Sequence, residues 1–262
     1  MVLNTADPCS NSEVGIFEEI PEISFDRPTA LLTANVVWDL AALDKEIQFA
    51  SMIDWVISVI DYFKENPRWQ LIIKAHPAEK NKYIPETRQL LFNAIVANCK
   101  GNLLPSNVVF LGAKSQLDLY DLLPHIQVGL VFTSTTGLEK ACAGLPVMTA
   151  GKSSYINKGF TYDTQTREEY FNLLSRLLEK GITDEKRELI IKLSRKFFYL
   201  LYFRYYTSLN LFDYSYADNP SIKISGAVDL MSGKNMVLDY ICESILSGLP
   251  IFSEDRCPPD QW

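Results

Sequence analysis

The chain reads as an α/β protein: a Rossmann-like parallel sheet flanked by helices, followed by a helical C-terminal extension. Three observations predict it. Short apolar runs of strand length alternate with segments whose apolar residues recur at helical spacing. Two of those runs stop abruptly in polar clusters, His76-Pro77-Ala78-Glu79 and Thr133-Ser134-Thr135-Thr136-Gly137, and polar strand ends of this kind mark the ligand-bearing rim of an open α/β sheet. The 262 residues, 47% of them hydrophobic, suffice to bury one large core.

The elements follow in order. Residues 1–28 have mixed polarity and little periodicity and read as a linker or strap. Residues 29–33 form a short apolar strand that empties into Ala34-Asn35-Val36-Val37-Trp38-Asp39. Over residues 46–64, Phe49, Ile53, Val56, Ile57, Ile60 and Phe63 keep helical spacing until Asn66-Pro67 ends the pattern. That helix returns the chain to a strand at 71–75, which makes a βαβ unit with a right-handed crossover. A helix at 85–98, a strand at 107–111, a short helix at 115–123 broken by Pro124 and a strand at 127–132 repeat the alternation. The next helix spans 136–143, with Gly144 placed to cap its C-terminus, and a brief strand follows at 146–149. Residues 167–180 and 184–206 are helical, 210–223 loop-like and 235–246 a last helix. The resulting division is a domain over 29–182 and an extension over 183–262 packed on it.

Composition excludes several classes. With 25 Lys and Arg against 32 Asp and Glu, the net charge of −7 opposes general nucleic-acid binding, which depends on clustered cations. The five cysteines are odd in number, widely spaced and free of a C-x-x-C pair, so they read as reduced thiols of a cytosolic protein without a zinc site. Only two histidines are present, which rules out a His-rich metal centre. The polar start lacks a secretory h-region, and the most apolar stretches are too short and too interrupted by Asp54, Asp61 and Arg204 to span a bilayer. The aromatic run 197–206 has two readings, a core or interdomain contact and a surface for a membrane or partner.

The two polar strand ends carry the chemistry. Ser134, Thr135 and Thr136 stand where a helix begins, and their hydroxyls either cap that helix or donate to an anion. A helix dipole contributes only about 0.3–1 kcal/mol, so phosphate affinity requires several charge-assisted hydrogen bonds of roughly 1.5–3 kcal/mol each. His76, at the end of its strand, either serves the structure or donates to a phosphate, with Lys74 and Lys80 adding positive potential.

The succession Thr33-Ala34-Asn35-Val36-Val37-Trp38-Asp39, Ile73-Lys74-Ala75-His76-Pro77-Ala78-Glu79, Thr133-Ser134-Thr135-Thr136-Gly137-Leu138-Glu139, Gly144-Leu145-Pro146-Val147 and Asn157-Lys158-Gly159-Phe160-Thr161 resembles the bacterial capsule polysaccharide biosynthesis proteins over about residues 29–171. That family looks like the nucleotide-binding half of GT-B glycosyltransferases and is similar to bacterial Kdo transferases and to sialyltransferases. The resemblance implies a CMP- or UDP-linked sugar donor, a polysaccharide or glycolipid acceptor, no metal or other cofactor, and work in the cytoplasm or at the inner face of the membrane.

It also implies roles. His76 and the hydroxyls of Ser134, Thr135 and Thr136 would meet the donor's phosphate. Glu139 would accept from ribose hydroxyls, the alternative being a surface salt bridge. Lys158 and Gly159 would close over the donor, although Gly159 also fits an ordinary turn. Transfer needs a base for the acceptor hydroxyl; Asp39 is the internal candidate, with a structural cap as its alternative.

A GT-B enzyme has two Rossmann-like domains, yet residues 1–28 leave no room for one. The expectation is therefore a fragment, a chain completed by a partner, or a nucleotide binder without transfer. A noncatalytic module of capsule machinery is the alternative, and a sugar-nucleotide epimerase ranks lower.

Overall fold

The computed structural model describes residues 23, 25–37, 44–80, 90–98, 104–205, 211–213 and 221–249. Its centre is a six-stranded, wholly parallel sheet built from β1 (Thr29–Thr33), β2 (Gln70–Lys74), β3 (Val108–Leu111), β4 (Val128–Val131), β5 (Val147–Thr149) and β6 (Tyr162–Asp163). The spatial order is β3-β2-β1-β4-β5-β6. The chain thus builds outward from β1 on one side, then returns across it to build outward on the other. This is the doubly wound Rossmann order, and it opens a crevice between the loops that leave β1 and β4.

Strand alternation sorts the core into two layers. Leu32, Leu71, Ile73, Val128 and Leu130 pack on one face with Trp55, Val56, Ile60 and Phe63 of α1 (Met52–Glu65) and with Tyr170, Leu174 and Leu177 of α5 (Arg167–Lys180). Leu31 and Ile72 point the other way, joining Leu119 and Leu122 of α3 (Leu119–Leu122), Ile126 and Leu145. Both faces of β1 are therefore buried, as a central parallel strand requires.

Helix α1 begins later than its periodicity suggests. Ser51 caps it by accepting from the Asp54 N–H, and the Asp54 carboxylate accepts from the Ala50 N–H. Residues 46–50 are turns, held by the bridge between Glu46 and Gly151. Helix α2 is described over Leu91–Asn98; residues 85–89 of the expected 85–98 helix lie outside the described residues. Helix α3 is shorter than expected because Asp118 and Asp121 form a reciprocal capping box that starts it at Leu119. Strand β6 carries no local apolar signal, and its two residues pair only because β5 is alongside.

Contacts divide the chain into residues 1–194 and 195–262, the break falling inside α6 (Asp184–Tyr199). In the second unit, the last turns of the expected 184–206 helix widen into a π-helix over Leu200–Tyr205. There Phe198 packs on Tyr202 and Tyr199 on Phe203, while Phe203 and Tyr205 are largely exposed. The region expected as loop contains a short antiparallel pair, β7 (Phe212–Asp213) and β8 (Ser221–Ile222). Helix α7 (Met236–Ser247) is capped by Asn235 and ended by Gly248 in the left-handed conformation.

Candidate functional site

Register fixes which loops share a rim. Thr33, the last residue of β1, is level with Lys74 of β2 and with Val131 of β4. His76 follows Lys74 by two residues and Ser134 follows Val131 by three, so both stand at the C-terminal rim, on either side of β1. With strands about 4.8 Å apart, the ends of β2 and β4 from which these loops depart are about 10 Å apart across the rim.

Between them lies a cluster of hydroxyls. Thr33 Oγ1 and Thr136 Oγ1 are 2.7 Å apart, and Thr136 Oγ1 is 3.0 Å from Ser134 Oγ. Asn35, just beyond β1, accepts at Oδ1 from both the N–H and the hydroxyl of Thr133, at 3.4 and 3.2 Å. Ser134 is buried, Thr136 half-buried and Thr135 exposed.

The hydroxyls do not serve as ordinary helix caps. Helix α4 (Thr136–Cys142) has Thr135 at its N-cap position in helical conformation and without a side-chain capping bond. Ser134 Oγ makes only a long 3.4 Å contact with the Thr136 N–H. With seven residues the helix has a weak dipole, so side-chain donors carry whatever anion affinity the cluster has.

Beneath the cluster lies a residue that the sequence reading passed over. Lys140 is wholly buried, and its Nζ donates to Thr33 Oγ1 at 2.8 Å and to the carbonyls of Leu31 and Leu130 at 3.2 and 3.4 Å. Burial pushes its pKa down to about 7, opposed by the neighbouring Glu139 carboxylate. The signal was present in the sequence: on α4, positions 137, 140 and 141 share one face, and Gly137 and Ala141 are small enough for close packing. A lysine on such a face lies against the packed side of its helix.

Tyr155 closes the cluster from the loop after β5. Its hydroxyl donates to the Ser134 carbonyl, and burial holds its pKa above the ordinary tyrosine value. A Cβ on Gly137 would collide with that hydroxyl, which explains the glycine.

The expected site residues distribute unevenly. His76 is half-buried and accepts at Nδ1 from the Ala78 N–H at 3.1 Å, so neutral His76 carries its proton on Nε2. Glu79 is structural: buried, it accepts from the Leu91 N–H at 2.9 Å and so holds the start of α2. Lys74 does not supply a loose positive charge, because its Nζ donates to the Leu117 carbonyl at 2.6 Å, and burial lowers its pKa against the fields of Asp118 and Asp121. The Lys80 side chain and Asp39 lie outside the described residues. Glu139 accepts from the Tyr120 hydroxyl at 3.0 Å.

Lys158 and Gly159 occupy an exposed turn, with Gly159 at φ 85° and Asn157 at φ 58°. Asp163 anchors it by accepting from the Asn157 N–H and from the hydroxyls of Thr149 and Thr161. From this loop it is Tyr155 that reaches the hydroxyl cluster. Among the described residues, no group of three or more His, Cys, Asp and Glu is placed to hold a metal ion, and no helix is long and apolar enough to cross a membrane.

A family model described as capsule polysaccharide biosynthesis protein matches residues 24–193. The chain belongs to that family. The match takes in the entire six-stranded sheet and every strand-end cluster described above. No curated protein matches the chain. Among solved structures, KpsC of Thermosulfurimonas dismutans, a beta Kdo 2,4 transferase, is similar at 19% identity and TM-score 0.41, over 67% of this chain and 46% of that one. The UDP-GlcNAc 2-epimerase of Neisseria meningitidis is similar at 15% identity and TM-score 0.44, over 72% and 48%. The chain thus spans about half the length of the solved structures it matches.

Proposed function

We propose that this capsule family member is the donor-nucleotide-binding part of a glycosyltransferase that builds capsular or surface polysaccharide from a CMP- or UDP-linked sugar. The observation that carries the reading is the Thr33–Thr136–Ser134 hydroxyl cluster at the β1/β4 crevice, with His76 on the same rim. Family membership and the doubly wound strand order support it.

In this reading the Nε2–H of His76 and the Ser134 hydroxyl, backed by that of Thr136, share the charge that grows on the departing nucleotide's phosphate as the glycosidic bond breaks. Thr135, exposed at the mouth of the crevice, adds a donor, and Glu139, beside Tyr120, accepts from the ribose. Lys158 and Gly159 close over the donor from their exposed turn. Asp39 is the proposed base for the acceptor hydroxyl. The other wall of the cleft, with the acceptor, comes from a further domain or a partner chain, and the work takes place on the cytoplasmic side of the membrane.

Calorimetric titration with CMP, UDP and GDP tests the reading. Binding of one nucleotide, lost in both His76→Ala and Ser134→Ala, is the expected result. No binding at millimolar concentration overturns it in favour of a noncatalytic assembly module, and turnover of a UDP-sugar without acceptor overturns it in favour of an epimerase.

A further inference from the structure

We infer that Lys140 is a positioning residue which, through Thr33 and Thr136, turns the Ser134 hydroxyl outward as a hydrogen-bond donor, so that nucleotide phosphate is held more tightly when this lysine is charged. The inference rests on the nucleotide reading of the β1/β4 crevice and adds to it a buried control of affinity.

An ammonium has three hydrogens and no lone pair, and Lys140 Nζ has three acceptors: Thr33 Oγ1, the Leu31 carbonyl and the Leu130 carbonyl. In that state Thr33 Oγ1 receives a hydrogen from the lysine and passes its own to Thr136 Oγ1, 2.7 Å away. Thr136 in turn donates to Ser134 Oγ at 3.0 Å. Each hydroxyl has one hydrogen, so the Ser134 hydrogen is left for a group beyond the chain. An anion at the rim is the partner that gains most from it.

A neutral amine has two hydrogens and one lone pair. Thr33 can then donate to Nζ, Thr136 to Thr33 and Ser134 to Thr136, which reverses the chain and turns a Ser134 lone pair toward an anion. Among the described residues, the charged groups around the switch are few. Strand β1 offers Thr33, β4 a carbonyl, and the loop after β5 the Tyr155 hydroxyl at the Ser134 carbonyl; the carboxylate whose field reaches Lys140 is Glu139 on its own helix. Burial that brings the lysine to about 7 lets both states be populated near neutrality.

The test uses the whole chain and the tightest binder among CMP, UDP and GDP, titrated between about pH 7 and about pH 8.5. Over that range a nucleotide phosphate is already past its second ionisation at about 6. Native affinity should fall by about fivefold or more as pH rises. Thr33→Val, which cuts the chain while leaving the lysine in place, should weaken binding at the lower pH and abolish the pH slope, and Thr33→Ser should restore both. Because linkage is reciprocal, bound nucleotide should raise the midpoint of Lys140, read from its ¹³Cε resonance, by the same factor.

Binding with no pH slope in the native chain, or with the same slope in Thr33→Val, overturns the inference while leaving the nucleotide site standing. Should none of the three nucleotides bind, the nucleotide reading fails and this inference falls with it.

Discussion

Gly129 stands on the central strand β4 where a Cβ would come within 2.7 Å of Lys140 Cδ and 3.3 Å of Leu145 Cδ2. The missing side chain is the passage through which the lysine stem reaches the carbonyls of β1 and β4. A glycine inside a buried strand weakens the strand locally, and close approach of another group is the usual reason for one.

Gly129→Ala should therefore overpack the layer and cost about 1–3 kcal/mol, read as a lower Tm or denaturant midpoint. Lys140→Ala alone empties the same space. The double variant should be less destabilised than the sum of the two singles, because the added methyl then occupies vacated volume. Strict additivity would show that the two residues do not compete for space.

Lys140 also sets a pH dependence of stability. Its pKa in the folded chain is about 7 against an ordinary 10.5, so between these values the unfolded chain binds more protons than the folded one. Stability then rises with pH across that window, and its swing is on the order of 5 kcal/mol. Below about 7 the penalty of the buried charge is fully present. Subtracting the profile of Lys140→Met from that of the native chain isolates the slope, and denaturant titrations over that range measure it. A difference flat with pH would refute the assignment.

Trp55 Nε1 donates to the Tyr170 hydroxyl at 3.0 Å inside the layer that joins α1 to α5. Tyr170→Phe strands a buried indole N–H and should cost about 1–3 kcal/mol. Replacing both partners, with Trp55→Phe added, removes the orphaned donor but loses indole packing. The coupling between the two changes, measured in a double-mutant cycle, should differ from zero.

Gly137 and Tyr155 form a second steric pair, in which a Cβ at 137 would collide with the tyrosine hydroxyl. Gly137→Ala should destabilise the native chain more than it destabilises Tyr155→Phe, where the hydroxyl is gone. The Ser134 carbonyl, which accepts from that hydroxyl, should also shift its loop in Tyr155→Phe, and weaker nucleotide binding in calorimetry is the readout. Unchanged affinity would separate the loop's support from the proposed site.

Much of the fold was legible because it is local. Alternating apolar runs and helical periodicities located five of the six sheet strands to within a residue or so and the helix α5 over its full length, since burial on one or both faces writes itself into nearby sequence. Elements with no pattern of their own were missed: β6 is two residues paired to β5, and the widening that follows α6 over Leu200–Tyr205 breaks no visible rule of propensity. The late start of α1 escaped because Phe49 is buried in phase with the helix while lying in the turn before it.

The strand-end clusters at His76 and at Ser134 through Thr136 were likewise readable from sequence alone, because a strand that stops in hydroxyls or a His-Pro pair is a contiguous signal. Which residues meet there was decided by the tertiary structure. Thr33 reaches Thr136 across 103 positions and Lys140 across 107, and Lys74, expected at the rim, is drawn instead to Leu117. Such pairings follow from strand order and register, which are set by the packing of the whole sheet, so no window of neighbouring residues contains them.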